Sequence, residues 1–344
     1  MSAAPSAGSR APDGMGPYLL VLGLLALLTA LLFVASLFAG RSPIQLMNLF
    51  LGGTVEDPEV LWLIFSEIRM PRAVLATLVG ATLGLSGAAL QGYLRNPLAE
   101  PGLVGASSTA ALGAVLMLYT GASAWFPMAL PLGGIAGAIT GLALVTVLAG
   151  SRSGALTLIL AGVAVNTLAA ALTSLALNLA PSPYAALEII FWLLGSLADR
   201  SFEHVRIALP FMLVGWILLL GLGRALDALS IGEEAASSLG LSLTRLRLLL
   251  LLGVGLSVGA AVAVSGAIGF IGLVVPHLLR PLVGHRPGAL LPASALGGAA
   301  LTLAADIGVR LLSPGTELKL GVLTALIGSP FFLYLLINMR RTNQ

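Results

Sequence analysis

The chain has 344 residues, 58% of them apolar and only 9% charged, with a mean hydropathy of +1.03. Soluble domains carry about 25% charged residues, so a soluble fold is excluded, and the absence of cysteine excludes disulfides, thiol chemistry and cysteine metal sites. The net charge of +3 is scattered between apolar runs without a dense basic stripe, which excludes a nucleic-acid surface.

Residues 1–17 are rich in Ala, Ser, Gly and Pro and are expected to form a disordered cytoplasmic tail. The run 18–39 is longer than the roughly 7–15 apolar residues of a cleaved signal peptide, so it is expected to stay as the first membrane span. Crossing a bilayer takes about 20 residues of helix. Further apolar runs predict spans near 72–94, 103–119, 127–149, 155–178, 205–223, 246–265, 267–283, 290–311 and 320–339, the third and eighth being short. The connection 181–204 has room for a short helix around 187–194. The expectation is an all-α integral membrane protein of about ten transmembrane helices. After the tail, residues 18–344 form a single transmembrane domain in contact with membrane lipid. The 42 glycines suit helices whose backbones approach closely.

Orientation follows the positive-inside rule. With both termini in the cytoplasm, the inner side holds Arg10, Arg95, Arg152, Arg224, Arg245, Arg247, Arg280, Arg286, Arg340 and Arg341. The outer side holds Arg41, Arg69, Arg72, Arg200, Arg206, Arg310 and Lys319. A shift of 179 residues places Gly80, Ala81, Ser86, Gly87, Ala88, Leu94 and Pro97 on Gly259, Ala260, Ser265, Gly266, Ala267, Leu273 and Pro276. This weak correspondence raises the possibility of an inverted repeat, an arrangement used by transporters.

Arg69-Met70-Pro71-Arg72 is expected to open the second span on the outer side. Two arginines there are either headgroup anchors or a basic docking point, since the guanidinium fork binds carboxylates bidentately. At the inner end of that span, Arg95-Asn96-Pro97-Leu98-Ala99-Glu100-Pro101-Gly102 stops the helix: two prolines and a glycine forbid regular continuation. Asp306 and Arg310 sit four apart in the ninth span and are expected to pair.

The most informative polar stretch runs from Ser230 to Leu241 inside the largest cytoplasmic loop, about 224–245. Ser230 with Glu233 reads as a capping box, and Glu233 and Glu234 suit a helix N-terminus. Gly240 is a good C′ residue. Ile231, Ala235 and Leu239 recur at spacing four as an apolar stripe. A helix lying on the membrane surface carries Lys or Arg on its polar face. This one carries two glutamates, which favours a protein partner.

His277, after Pro276, is expected to be a hydrogen-bonded packing residue, and His204 and His285 lie in other segments, so neither a metal site nor a cofactor is expected. Gly84-Leu85-Ser86-Gly87 has the form G-x-S-G of intramembrane serine proteases, with His277 as the one candidate base, but close helix packing explains it more simply. A phosphate-binding loop G-x-x-x-x-G-K-[ST] requires a lysine. The sole lysine, Lys319, lies in Glu317-Leu318-Lys319-Leu320, so ATP hydrolysis by that route belongs to another subunit or the protein uses an ion gradient.

Together, Arg69–Arg72, Gly87–Gly92, Arg95–Gly102 with Val104-Gly105, and Phe-Trp-Leu-Leu-Gly-Ser-Leu from Phe191 resemble the FecCD-type permease family. So do Ile231–Gly240, Ser265–Arg280 with Pro276-His277, and Leu320–Leu333. These permeases are the membrane subunits of ABC importers for iron–siderophore, haem and cobalamin. The resemblance covers about residues 60–340. It implies ten spans, a homodimer in the bacterial inner membrane, two ATPase subunits inside, and a periplasmic or lipid-anchored substrate-binding protein outside. By the same resemblance, Arg69, Arg72 and Arg310 form the docking pocket, and Ser230–Leu241 is the helix that couples to the ATPase. An iron chelate is the leading expected substrate, with cobalamin next; a gradient-driven secondary transporter is the alternative from another class.

Overall fold

The computed structural model describes residues 15–40, 43–54, 57–126, 128–150, 154–312 and 318–342. Arg10, Arg41, Arg152 and the tail through residue 14 lie outside them. Among the described residues every secondary-structure element is a helix. In order, the helices are α1 (Met15–Phe38), α2 (Pro43–Leu51), α3 (Pro58–Leu63), α4 (Met70–Leu94), α5 (Ala106–Tyr119), α6 (Ala122–Trp125), α7 (Ala129–Ala149) and α8 (Ala155–Asn178). They continue as α9 (Pro183–Leu193), α10 (Phe202–Gly221), α11 (Gly223–Leu229), α12 (Glu233–Ser238), α13 (Leu243–Ser265), α14 (Ile271–Leu279), α15 (Pro287–Leu312) and α16 (Leu320–Thr342).

Among the described residues, seven helices are long and apolar enough to cross a membrane: Gly16–Phe38, Pro58–Leu94, Ala129–Ala149, Leu156–Asn178, Phe202–Gly221, Leu243–Ser265 and Pro287–Leu312. Shorter apolar helices stand at the other expected spans, at Ala106–Tyr119, Ile271–Val283 and Leu320–Leu335, and a fourth at Pro183–Leu193 fills the expected connection.

The second span begins earlier than the sequence pattern implied. Helical structure starts at Pro58, passes through a π-helical turn at Ile64–Arg69, and runs on as α4. Pro71 has no N–H to give to the preceding turn, and a widened π turn is one way a helix absorbs that loss. Arg69 and Arg72 are therefore mid-helix residues, not the start of a span.

α4 and α13 form the buried centre of the bundle. α4 packs most extensively on α15, through small residues: a Cβ added at Gly84 would stand 2.0 Å from the Ser294 carbonyl oxygen, and one at Gly80 would stand 2.3 Å from that of Gly298. This contact accounts for Gly84-Leu85-Ser86-Gly87. Ser86 Oγ lies 3.4 Å from Ser257 Oγ on α13 and makes no bond to His277. The Trp216 indole N–H donates to the Thr82 hydroxyl at 2.9 Å, tying α10 to α4.

The 179-residue correspondence holds as local structure only as far as Ser86, with Gly80 and Ala81 in α4 and Gly259 and Ala260 in α13. Ser86, Gly87 and Ala88 are consecutive residues inside α4. Their counterparts begin at Ser265, the last residue of α13, and Gly266 leaves the helix at φ +70°. Pro97 lies in a turn, whereas Pro276 is inside α14.

Candidate functional site

Polar side chains gather at the two ends of the bundle. At one end, the fully buried carboxylate of Asp306 on α15 holds two guanidinium groups. Arg72 Nε lies 3.0 and 3.2 Å from its two oxygens and Nη2 lies 2.9 Å from Oδ1. Arg310 Nη2 lies 2.8 Å from Oδ2, the expected i,i+4 pair. Arg310 also donates through Nη1 to the carbonyls of Ser36 and Ala39, at 2.9 and 3.2 Å, and through Nη2 to the Ser36 hydroxyl. Arg69 Nη1 donates to the Leu37 carbonyl at 3.0 Å.

The three arginines stand at one end of the bundle, and their attachments point inward. Arg69 is only 7% exposed, and the side chains of Arg72 and Arg310 are 14% and 11% exposed. Two of them satisfy carbonyls at the C-terminal end of α1, where a helix leaves its last C=O groups without partners and favours cations. Helical structure continues upstream of both Arg69 and Arg72. Ser36 and Leu37, which serve Arg310 and Arg69, lie in an apolar run with no pairing signal in the sequence.

At the opposite end, Arg95 ends α4 in the left-handed conformation, at φ +49°. The Asn96 side chain accepts from the Leu98 N–H at 2.9 Å, closing a local turn. Pro97 and Pro101 flank it, and Pro101–Val104 forms a 3-10 turn that includes Gly102. Burial pushes the Glu100 carboxyl above the usual carboxylate range, opposed by a hydrogen bond from the Phe270 N–H. Glu100 thereby ties this turn to the loop that precedes α14.

Arg95 reaches α12, with Nη2 3.2 Å from Glu233 Oε1. The predicted capping box is absent. Gly232, at φ +133°, is the N-cap, and the Ser230 hydroxyl donates backward to the Asp227 carbonyl at 2.6 Å. Glu233 is instead the first helical residue, turned toward Arg95. The predicted C-terminus is present: the Gly240 N–H donates to Ser237 O and the Leu241 N–H to Ala236 O, a Schellman pair, with Gly240 at φ +84°. The predicted apolar stripe is not the packed face. Ala236 is buried and Ala235 half-buried, while Ile231 and Leu239 are 73% and 69% exposed and Glu234 is also exposed. Two large apolar side chains and two carboxylates therefore project from this end of the bundle.

Two residues behind this surface depart from the sequence reading. His277 packs edge-to-face on Phe331 at 5.9 Å, with its Nδ1 buried and lacking a hydrogen-bond partner. Gln91 carries no signal of a role in the sequence. It is buried in α4, donates to the carbonyls of Gly272 and Leu273 at 3.4 and 3.3 Å, and accepts from Arg280 Nη2 at 2.6 Å. It fastens α4, the α14 helix containing Pro276, and the basic residue that follows it.

The chain is similar to known transport proteins along most of its length. It is 41% identical over 281 residues to the Fe(3+) dicitrate transport system permease protein FecD of Escherichia coli, covering 80% of this chain and 86% of that one. It is 44% identical over 283 residues to the cobalamin import system permease protein BtuC of Halobacterium salinarum, covering 81% and 74%. A solved metal-chelate-type ABC transporter in an inward-facing conformation superposes with a TM-score of 0.83 at 36% identity, covering 93% of this chain and all of that one. With the FecCD transport family model matching residues 27–338, the chain belongs to the FecCD family of multi-pass inner-membrane ABC permeases.

Proposed function

We propose that this chain is the permease subunit of an ATP-driven importer for an iron chelate, a siderophore complex or haem, working as a homodimer. In this reading it crosses the inner membrane ten times with both termini inside. The observation that carries the reading is the pairing of two unlike ends on one rigid bundle. One end presents exposed Ile231 and Leu239 with Glu233 and Glu234; the other gathers Arg72 and Arg310 around Asp306, with Arg69 on the Leu37 carbonyl. Two ATPase subunits would seat on the first, with α12 as the coupling helix. A substrate-binding protein bearing acidic side chains would dock on the second.

The homodimer is supported by α8. Thr167, Ala171, Ser174 and Asn178 fall on one face of that helix and are exposed. Small and hydroxylated side chains are poor lipid partners and suit a helix contact or a wetted passage. A second copy opposite this face would enclose such a passage. Identities of 41% to an iron-dicitrate permease and 44% to a cobalamin permease do not separate these cargoes, so cobalamin is kept as the second substrate.

The test is uptake into proteoliposomes holding the chain with its cognate ATPase and binding protein, supplied in turn with labelled ferric siderophore, haem and cobalamin. ATP-dependent accumulation of an iron chelate supports the proposal. Accumulation of cobalamin alone replaces the substrate, and uptake driven by an ion gradient without ATP overturns the mechanism.

A further inference from the structure

A cavity of about 990 Å³ opens at the α12 end of the bundle, between the first turn of α1, the α10–α11 junction and the start of α15. Among the described residues, its polar rim carries Arg224 and Arg286 against a single carboxylate, Asp227. That carboxylate is already engaged. Its Oδ1 accepts the Gly288 N–H at 2.7 Å, and Oδ2 takes only a long contact of 3.4 Å from Arg286 Nη2. The Arg286 side chain remains 74% exposed. Arg224 is exposed and makes no ion pair or hydrogen bond among the described residues. Tyr18 donates its hydroxyl proton to the Ala289 carbonyl at 3.3 Å, which leaves the phenol oxygen free to accept.

The lining also carries exposed apolar side chains: Leu19 at 59%, Leu220 at 46% and Leu282 at 57%. A cationic rim above an apolar wall, at the end of membrane-crossing helices, matches an amphiphile with an anionic head. Arginine forks bind phosphate oxygens bidentately, and basic pockets between transmembrane helices are suited to anionic lipid headgroups. A free phosphate would satisfy the arginines and leave the leucines uncovered.

We propose that this cavity is a binding site for an anionic phospholipid, its phosphodiester between Arg224 and Arg286 and its acyl chains along Leu19, Leu220 and Leu282. The site rests on the membrane location of the chain and is independent of the transported substrate. It fastens the first span to the α11 segment that leads into α12.

The experiment uses the full chain, purified and delipidated in detergent, with phosphatidylglycerol, phosphatidylcholine of the same acyl chains, and inorganic phosphate as probes. Binding is read by native mass spectrometry and by the shift in thermal unfolding midpoint. Phosphatidylglycerol is expected to bind and stabilise more than phosphatidylcholine, with inorganic phosphate giving no shift. Arg224→Gln with Arg286→Gln should weaken phosphatidylglycerol binding roughly tenfold or more, from the loss of charged hydrogen bonds, and reduce its advantage over phosphatidylcholine. If the double variant is misfolded, Arg224→Gln alone carries the test, since it breaks no bond among the described residues, and Arg224→Lys should restore part of the affinity. Equal responses to the two lipids in the wild type overturn the proposal, as does an undiminished phosphatidylglycerol response in the variants. A full shift from inorganic phosphate alone would reassign the cavity to a free anion and overturn the lipid assignment.

Discussion

Arg95 and Glu233 stand 138 positions apart in the chain and meet at 3.2 Å, so the residue that ends α4 is joined to the residue that opens α12. Both side chains are about half exposed, at 46% and 49%. An ion pair this open contributes only about 0–1 kcal/mol to stability. Its consequence is orientation: it sets α12 against the end of α4, which lies in the most buried of the candidate spans. Glu233→Lys with Leu239→Asp removes the pair and one of the two projecting apolar groups. Because no capping box exists to be lost, the fold should lose no more than about 1 kcal/mol. ATPase co-purification and coupled transport should nevertheless fail. A double variant that retains its ATPase and transports normally would show that α12 is not the coupling element.

Packing between α4 and α15 gives a second prediction. At Gly84 an added Cβ would come within 2.0 Å of the Ser294 carbonyl oxygen, with Gly298 Cα at 3.2 Å behind it. These are backbone atoms of a facing helix and can yield only if the helices separate. Gly84→Ala should therefore cost about 1–3 kcal/mol. Gly308→Ala is the control: on the same α15, its nearest neighbour is Leu323 Cδ2 at 3.7 Å, an ordinary contact. It should be neutral or stabilise by up to about 1 kcal/mol through helix propensity. Thermal unfolding in one detergent compares the two, and equal effects would sink the close-packing account.

The long apolar runs were legible because the bilayer demands a minimum length of uninterrupted helix, and that demand is written along the chain itself. The Asp306–Arg310 pair was legible for the same local reason, a spacing of four. What escaped lay between distant segments. Arg310 to Ser36 spans 274 positions and Gln91 to Gly272 spans 181, and no periodicity links such residues. The failed capping box shows a different limit. Ser230 and Glu233 have the correct spacing, but Gly232 places the cap two residues later, and each side chain has a better partner elsewhere.

Glu100 supplies a pH prediction. Burial raises its pKa, and the Phe270 N–H only partly opposes that shift. The folded state therefore favours the protonated acid more than the unfolded chain does. The stabilisation linked to Glu100 is fully present below its unfolded value, about 4.3, and is lost as pH rises through the higher folded value. Glu100→Gln mimics the neutral form at every pH. Relative to wild type, the variant should gain stability as pH increases from acid toward neutrality, and the two should converge at low pH. Unfolding midpoints across that range provide the check. A wild type more stable than Glu100→Gln at neutral pH would mean that the bond from Phe270 outweighs burial.

The cluster around Asp306 separates structural from docking roles. Asp306→Asn removes the carboxylate that faces two guanidinium groups in a buried site, so it should destabilise the chain by about 3–5 kcal/mol. Arg69 serves the Leu37 carbonyl and is nearly buried, so changing it tests the fold more than any partner. Arg72 and Arg310 retain a small exposed edge. An acidic partner would meet that edge, and charges at a rim act mainly on association rate and salt dependence. Arg72→Gln should weaken binding-protein affinity, with the largest difference from wild type at low ionic strength. Basal ATPase activity of the assembled transporter should persist, because α12 lies at the other end. Affinity measured against salt, with the unfolding midpoint of the same preparation, distinguishes the two roles. A lowered midpoint with unchanged affinity at low salt would assign Arg72 to holding α4 against α15, and the docking surface would have to be sought elsewhere on that end.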